Sequence, residues 1–311
     1  MNLTIYKNTE KELAIMEESD YEYRKKIALQ GEIGSFSEMA ALQYFGPSVD
    51  ILSGNSFEEV AEMVKRGIAD YAVLPIENSQ TGGINNVHDL LLTENLFAIG
   101  EVILKIEHCL ITHPDTKLEK VERIYSHPQA LAQCEKYLLR NFSRCQIIPV
   151  YDTAGSIKQI KESGDLKAAG IASSRAAYYY GMQILEKGIE DNPSNFTRFL
   201  VFSPQTQIPE MSNKTSIIFA VVSVPGAIYR CLKEFALREI NLTRLESRPS
   251  KRKPWEYVFY MDFEKGLADN ATQEALKALD KCTTFVKVIG TYKAQANLFT
   301  FIEHPSETPS P

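Results

Sequence analysis

Three stretches of the chain bring hydroxyl, amide and charged side chains together where chemistry is possible. Gly31-Glu32-Ile33-Gly34-Ser35-Phe36-Ser37-Glu38 sits between a strand signal and a helix signal. Its glycines permit a tight turn, and Ser35 or Ser37 is of the type that caps a helix and leaves N–H groups aimed at a carboxylate or phosphate. The same residue types also build purely structural turns, and the spacing is neither a dinucleotide nor a Walker pattern. Leu74-Pro75-Ile76-Glu77-Asn78-Ser79, followed by Gly82-Gly83, ends a strand, where polar side chains of an open α/β sheet face the ligand crevice. Asn78 and Ser79 suit a small oxygen-rich ligand; the alternative is an Asx turn with Glu77 paired to a cation. Asn195-Phe196-Thr197-Arg198-Phe199-Leu200 sets a guanidinium between aromatics, which requires an anionic ligand or an acidic neighbour. Thr197 is there either as a working hydroxyl or as an ordinary β-branched strand residue. His88 and His127 read as structural, and no histidine or carboxylate spacing predicts a metal.

The elements that must hold these groups alternate. Ile27 to Gln30 reads as a strand, Ser37 to Phe45 and Phe57 to Arg66 as helices, and Tyr71 to Leu74 as a strand. A second set runs from Arg123 to Tyr180, including a helix over Pro128 to Leu139 and strands at Gln146 to Val150 and Ala168 to Ala172. Such alternation predicts an α/β fold of two lobes with parallel strands, over residues 26–203. The stretch 204–213, with Pro204 and Pro209, has no period and reads as a linker. Over 214–292 the order becomes strand, helix, strand, strand, helix, strand, the βαββαβ of a ferredoxin-like module. One face of its sheet is covered by helices; the other must be solvated, ligand-covered or paired with another copy. Residues 1–25 form a polar leader with at most one short helix, and 293–311 a tail whose proline-rich end, from His304, is expected to be mobile.

Composition narrows the partners. The 311 residues are 44% hydrophobic and 24% charged, too apolar and too lightly charged for disorder. With 34 Lys and Arg against 40 Asp and Glu, the formal net charge of −6 gives no reason to expect nucleic acid or an anionic membrane. The absence of a long apolar run or signal-peptide core leads us to expect a cytoplasmic address. Five cysteines without CxxC spacing argue against a zinc cage or a disulfide framework and read as buried thiols.

Taken together and in order, the motifs resemble the prephenate dehydratase family. The match rests on Gly31-Glu-Ile-Gly-Ser-Phe-Ser37, Pro75-Ile-Glu-Asn-Ser79, His127-Pro-Gln-Ala-Leu-Ala-Gln-Cys134 and Asn195-Phe-Thr-Arg-Phe199. Pro225-Gly-Ala-Ile-Tyr229 and Ile240-Asn-Leu-Thr-Arg-Leu-Glu-Ser-Arg-Pro249 look like the family's regulatory ACT domain. Glu32 stands where the family often has Pro, and Ile228 where it often has Leu. The resemblance implies a catalytic region of two lobes similar to periplasmic binding proteins, an essential Thr197 in the cleft, and conversion of prephenate to phenylpyruvate, water and carbon dioxide without cofactor or metal. The leader is too short for the fused chorismate mutase some members carry, so a monofunctional chain is expected. Arogenate is the rival substrate, and a non-catalytic amino-acid sensor the rival of another class.

Prephenate carries two carboxylates and a ring hydroxyl, and loss of hydroxide and carbon dioxide restores aromaticity. The barrier is the poor leaving group, so a donor at that hydroxyl is needed. A threonine is too weak an acid to transfer its proton fully, which leaves polarisation as the role of Thr197. Arg198 and the Gly31 to Ser37 turn are then expected to hold the pyruvyl carboxylate, with Asn78, Ser79 and Ser35 orienting the ring; Gly34, Phe36, Ser37, Glu77 and Phe199 complete the expected substrate-binding set. A tight clamp on the ring carboxylate would slow its departure. L-Phenylalanine, the implied effector, is assigned to Gly226, Ala227, Ile228, Asn241, Leu242, Thr243, Glu246 and Ser247, where two copies meet in a homodimer or homotetramer.

Overall fold

The computed structural model describes residues 23–250 and 256–295. The expected leader helix and the tail from His304 lie outside the described residues. Lys293 to Gln295 are described, and Gln295 is pinned there: its backbone N–H donates to Glu101, and its side chain accepts from the Ile103 N–H at 2.6 Å.

The main sheet begins with β1 (Lys25–Gln30), whose Ile27, Ala28 and Leu29 are fully buried, as expected of a strand covered on both faces. It pairs in parallel with β2 (Val49–Gly54) and β3 (Tyr71–Asn78). Helices α1 (Phe36–Phe45) and α2 (Phe57–Lys65) make the crossovers, capped by Ser35 and Ser56. β4 (Gly82–Gly83) folds back on β3, and α3 (Asn85–Thr93) leads to β5 (Phe97–Lys105). β11 (Phe196–Ser203) enters between β3 and β5, antiparallel to both. The first sheet is therefore mixed rather than wholly parallel, because β11 arrives from the second lobe instead of through a helical crossover. Strand β3 runs four residues beyond the expected Leu74. Pro75, which cannot donate to a ladder, is tolerated because the register with β11 shifts there, at a bulge.

The chain leaves this sheet after β5 and returns at β11, and between them builds a second sheet. β7 (Arg123–Ser126), β8 (Gln146–Pro149) and β9 (Ala168–Ala172) are parallel, and β6 (Cys109–Thr112) and β10 (Gln183–Lys187) complete the order β10-β6-β9-β7-β8. Around it pack α4 (Pro128–Gln133), α5 (Glu135–Asn141), α6 (Thr153–Ser163) and α7 (Ser174–Tyr180). The single helix expected over Pro128 to Leu139 breaks at Cys134, whose φ of −113° and ψ of 17° are not helical. Residues 204–213 contain no helix or strand.

The C-terminal elements are β12 (Lys214–Ala220), α8 (Ala227–Ala236), β13 (Leu242–Pro249), β14 (Tyr257–Phe263), α9 (Asn270–Asp280) and β15 (Phe285–Tyr292), in sheet order β13-β14-β12-β15. One face of this sheet packs on α8 and α9 through Ile217, Phe219, Phe235, Met261 and Leu279. The other face meets none of the three expected fates. Ile218, Val258, Tyr260, Ile289 and Tyr292 pack against Leu74, Leu91, Leu96 and Leu200 of the first lobe, in one core. A parallel contact at Gly290 and Ala98 joins β15 to β5, so the two sheets run on as one of ten strands. No described helix is long and apolar enough to cross a membrane. All five cysteines are free; Cys109, Cys134 and Cys231 are buried, whereas Cys145 and Cys282 are half-buried.

Candidate active site

Strands β3 and β11 place Thr197 opposite Asn78 and, one rung along, Arg198 opposite Glu77. Side chains alternate along a strand, so the two rungs face opposite sides of the sheet. Thr197 and Asn78 look into the space between the lobes. The Asn78 amide nitrogen donates to Thr197 Oγ at 3.0 Å and to Asn195 Oδ1 at 2.7 Å. Asn78 Oδ1 accepts from the backbone N–H groups of Gln80 and Thr81 at 3.0 and 3.2 Å, which fixes the orientation of the amide. Thr197 Oγ is therefore an acceptor from Asn78, and its own hydrogen is directed elsewhere. The Asx turn, one of the alternatives at the level of sequence, is present, and it leaves the amide hydrogens directed at Asn195 and Thr197.

Two adjoining cavities, of about 130 and 440 Å³, share Asn78, His127, Gln129, Thr153 and Thr197 in their walls. The smaller adds Phe36, His108 and Gln133; the larger adds Ser37, Phe199, Tyr151 and Asp152. Five helix N-termini reach these walls: α1 through Phe36 and Ser37, α2 through Phe57, α3 through Ile84 and Asn86, α4 through His127 and Gln129, and α6 through Asp152 and Thr153. The positive ends of helix dipoles and their free N–H groups make a weakly cationic environment. No lysine or arginine is among the described lining residues, and the formal charge is that of Asp152. Asp152 caps α6, accepting from the Gly155 N–H at 2.6 Å, and burial pushes its carboxyl above the ordinary aspartate range. Gly31 has φ +105°, and a Cβ there would lie 2.9 Å from Asp152 Oδ2, so both backbone and space call for glycine. His127 Nδ1 accepts from the Gln129 N–H at 3.2 Å, so the ring hydrogen lies on Nε2, and burial lowers the pKa of the ring.

Several expected site residues lie elsewhere. Arg198 is not in the cleft: its side chain projects to the other face, where Glu77 stands at 2.8 Å, Asp262 at 2.6 Å and Glu101 at 3.2 Å. The guanidinium thus has acid partners rather than an anionic ligand, and alternation along β11 is the reason. Glu77 shares that face and also meets Arg244 at 3.0 Å. Burial alone would raise the Asp262 carboxyl, yet Arg198 and then Arg244 hold it below the ordinary range. Ser35 and Gly34 do not line the cavities either. Ser35 caps α1, accepting from the Glu38 N–H at 3.3 Å; Gly34 packs on Ala176, where a Cβ would come within 2.6 Å of the backbone. Glu38 pairs with Arg175 across the lobes at 2.7 Å. Ser79 ties the returning chain, donating to the Ser194 carbonyl at 3.1 Å and accepting from the Phe196 N–H at 3.0 Å.

The C-terminal residues divide in the same way. Gly226, Ala227, Ile228 and Ser247 line a cavity of about 870 Å³ with Val224, Tyr257, Phe259 and Thr284. Asn241, Leu242 and Thr243 are outside its wall, and Asn241 donates to Glu264 at 2.9 Å. Glu246 turns away, toward Arg244 and His88, because β13 alternates and its other face meets the first lobe.

His88 is fully buried there, with Nε2 accepting from Arg244 at 2.7 Å. Burial, then the nearby arginines, lower its pKa from 6.5 to about 3. The unfolded chain therefore takes a proton below about pH 6.5 that the native chain refuses, and His88 contributes stability above that pH that is lost as pH falls toward 3. The melting temperature should drop between pH 6.5 and 4, less steeply in His88→Gln; an equal slope in both would refute the assignment.

His127, Gln129, Asp152 and Thr153 were not among the expected site residues. The available signal was positional: each stands at a helix start just after a strand of the second sheet.

A family profile described as prephenate dehydratase matches residues 27–207. Arogenate dehydratase/prephenate dehydratase 2 of Arabidopsis thaliana is 40% identical over 286 residues, 88% of this chain and 74% of that protein. A bifunctional chorismate mutase/prephenate dehydratase of Aquifex aeolicus is 40% identical over 271 residues, 87% of this chain and 74% of that protein. The crystal structure of a prephenate dehydratase from Arthrobacter aurescens in complex with L-Phe superposes with a TM-score of 0.80 at 29% identity, over 86% of this chain and 90% of that one. With more than half of its length in the family match, the chain belongs to the prephenate dehydratase family.

Proposed function

We propose that the two lobes follow the periplasmic-binding-protein pattern and that the cleft between them eliminates water and carbon dioxide from prephenate, with Thr197 as the donor to the departing ring hydroxyl. The observation that carries this is the Asn78 to Thr197 hydrogen bond of 3.0 Å at the wall shared by both cavities. By engaging the oxygen it leaves the Thr197 hydrogen for the substrate. Helix N-termini take over the pyruvyl carboxylate first given to Arg198, and the same weak field reaches the ring carboxylate. Partial charges suit this reaction: a carboxylate about to leave as neutral carbon dioxide should be held only moderately, since stabilising its charge raises the barrier.

Asp152 favours a second substrate. A carboxylate in a cavity without a formal cation repels a dianion more than a molecule that also bears an ammonium, so arogenate should be accepted beside prephenate. The relative from Arabidopsis thaliana named for both dehydratases supports this dual reading. Asp152→Asn keeps a side-chain oxygen to cap α6 but removes the charge. Its ratio of kcat/KM for arogenate over prephenate should fall about tenfold, one charge contact of ordinary strength; an unchanged ratio in side-by-side turnover would exclude the role.

The C-terminal module is read as an ACT domain taking L-phenylalanine in the cavity at Gly226 to Ile228 and Ser247. Exposed Val222, Val224 and Tyr257 line that cavity, and β13 is the outermost strand of its sheet. These features suit closure by a second copy, as a homodimer or a homotetramer. Loss of calorimetric L-phenylalanine binding in Ser247→Ala but not in Asn241→Ala would support this placement, and the reverse result would oppose it.

A further inference from the structure

The rung behind the proposed catalytic pair belongs half to the C-terminal module. Arg198 follows Thr197 directly on β11, and Glu77 precedes Asn78 directly on β3. Their outer partners come from the C-terminal sheet: Asp262 on β14 meets Arg198 at 2.6 Å, and Arg244 on β13 meets Glu77 at 3.0 Å. Lys214 on β12 adds a third link, to Glu101 at 2.7 Å, and Glu101 in turn lies 3.2 Å from Arg198. The side chains of Arg198, Asp262, Glu101 and Arg244 are nine-tenths or more buried, so solvent screening is weak and geometry decides the energy. The register shift between β11 and β3 begins immediately after Arg198, leaving this rung as the last regular one before a bulge. Bulges raise the local twist and re-aim side chains.

We infer that Arg198 and Glu77 are positioning residues, which aim Thr197 and Asn78 from the opposite face of the sheet and are themselves held by Asp262 and Arg244 of the C-terminal module. A displacement of the C-terminal sheet relative to β11 is thereby transmitted one residue along each strand to the hydroxyl and the amide. This rests on the functional reading above and supplies the route by which an effector in the C-terminal cavity alters turnover. Neither Asp262 nor Arg244 lines the two cavities of the cleft. Changes in them should therefore alter kcat rather than KM.

The test uses the full chain and Asp262→Asn, with prephenate and arogenate turnover, calorimetric L-phenylalanine binding and thermal unfolding. The variant should keep KM within about twofold while kcat falls about 5- to 20-fold, and the change in turnover caused by L-phenylalanine should shrink by a similar factor with its binding constant retained. Arg244→Lys, which keeps the charge but loses the forked geometry, should show the same pattern more weakly and carries the test if Asp262→Asn fails to fold. A folded Asp262→Asn with the wild-type kcat overturns the inference, as does a loss confined to KM. A wild-type chain that turns over neither substrate defeats the functional reading instead. A wild-type chain that is active but indifferent to L-phenylalanine removes the effector route and leaves the kcat comparison to decide the positioning.

Discussion

Thr197→Ala is expected to lower kcat by about 10²- to 10³-fold while the protein folds and binds substrate with little change in KM, the range found when one positioned donor is removed from an active site. The hydroxyl contributes nothing to the core: its oxygen accepts from Asn78, and the side chain borders both cavities. Its hydrogen bond strengthens only as negative charge develops on the departing oxygen, which is why the loss should appear in kcat and not in binding. Thr197→Ser keeps the hydroxyl and should retain most of the activity, at a cost set by the freer rotation of a side chain without the branching methyl. An alanine variant with most of its turnover intact would remove Thr197 from the mechanism.

The second large effect concerns the direction of a hydrogen bond. Asn78→Asp preserves shape, and one carboxylate oxygen can still accept from the Gln80 and Thr81 N–H groups. The other oxygen replaces an N–H donor, so the Thr197 hydrogen turns toward it and away from the substrate. Asn195, whose Nδ2 has no hydrogen-bond partner among the described residues, can rotate its amide to meet the new acceptor, so the fold should survive. Turnover should fall by about 10²-fold or more, and adding Thr197→Ala should cost little further, because the two residues act as one unit. Fully additive losses in the double variant would show that Asn78 and Thr197 work independently.

Much of this site was legible without coordinates, and the rest was hidden for identifiable reasons. Asn78 and Thr197 were singled out because their types suit an oxygen-rich ligand and because the motifs occur in a specific order, and both line the two cavities. The assignment of Arg198 to the cleft failed on alternation: a motif written as consecutive letters contains residues on both faces of a strand. Glu246 and Ser247 divided for the same reason on β13. Asp152, His127 and Thr153 escaped because their importance is positional. Each begins a helix in the second lobe, and only the packing of the two lobes brings those helix starts to Thr197.

From its amino acids alone the chain specified the alternating α/β order, the βαββαβ module, a serine cap at Ser35 or Ser37 and the family to which the motifs belong. These are local matters of period, cap and turn chemistry, set by residues a few positions apart. The tertiary structure decided which side of β11 faces the cleft, which helix ends line it, and that the C-terminal sheet is packed against the first lobe. Those outcomes depend on pairings between residues more than a hundred positions apart, such as Asn78 with Thr197 and Glu77 with Arg198. Strand register fixes such pairings, and register is settled when whole faces are buried against each other.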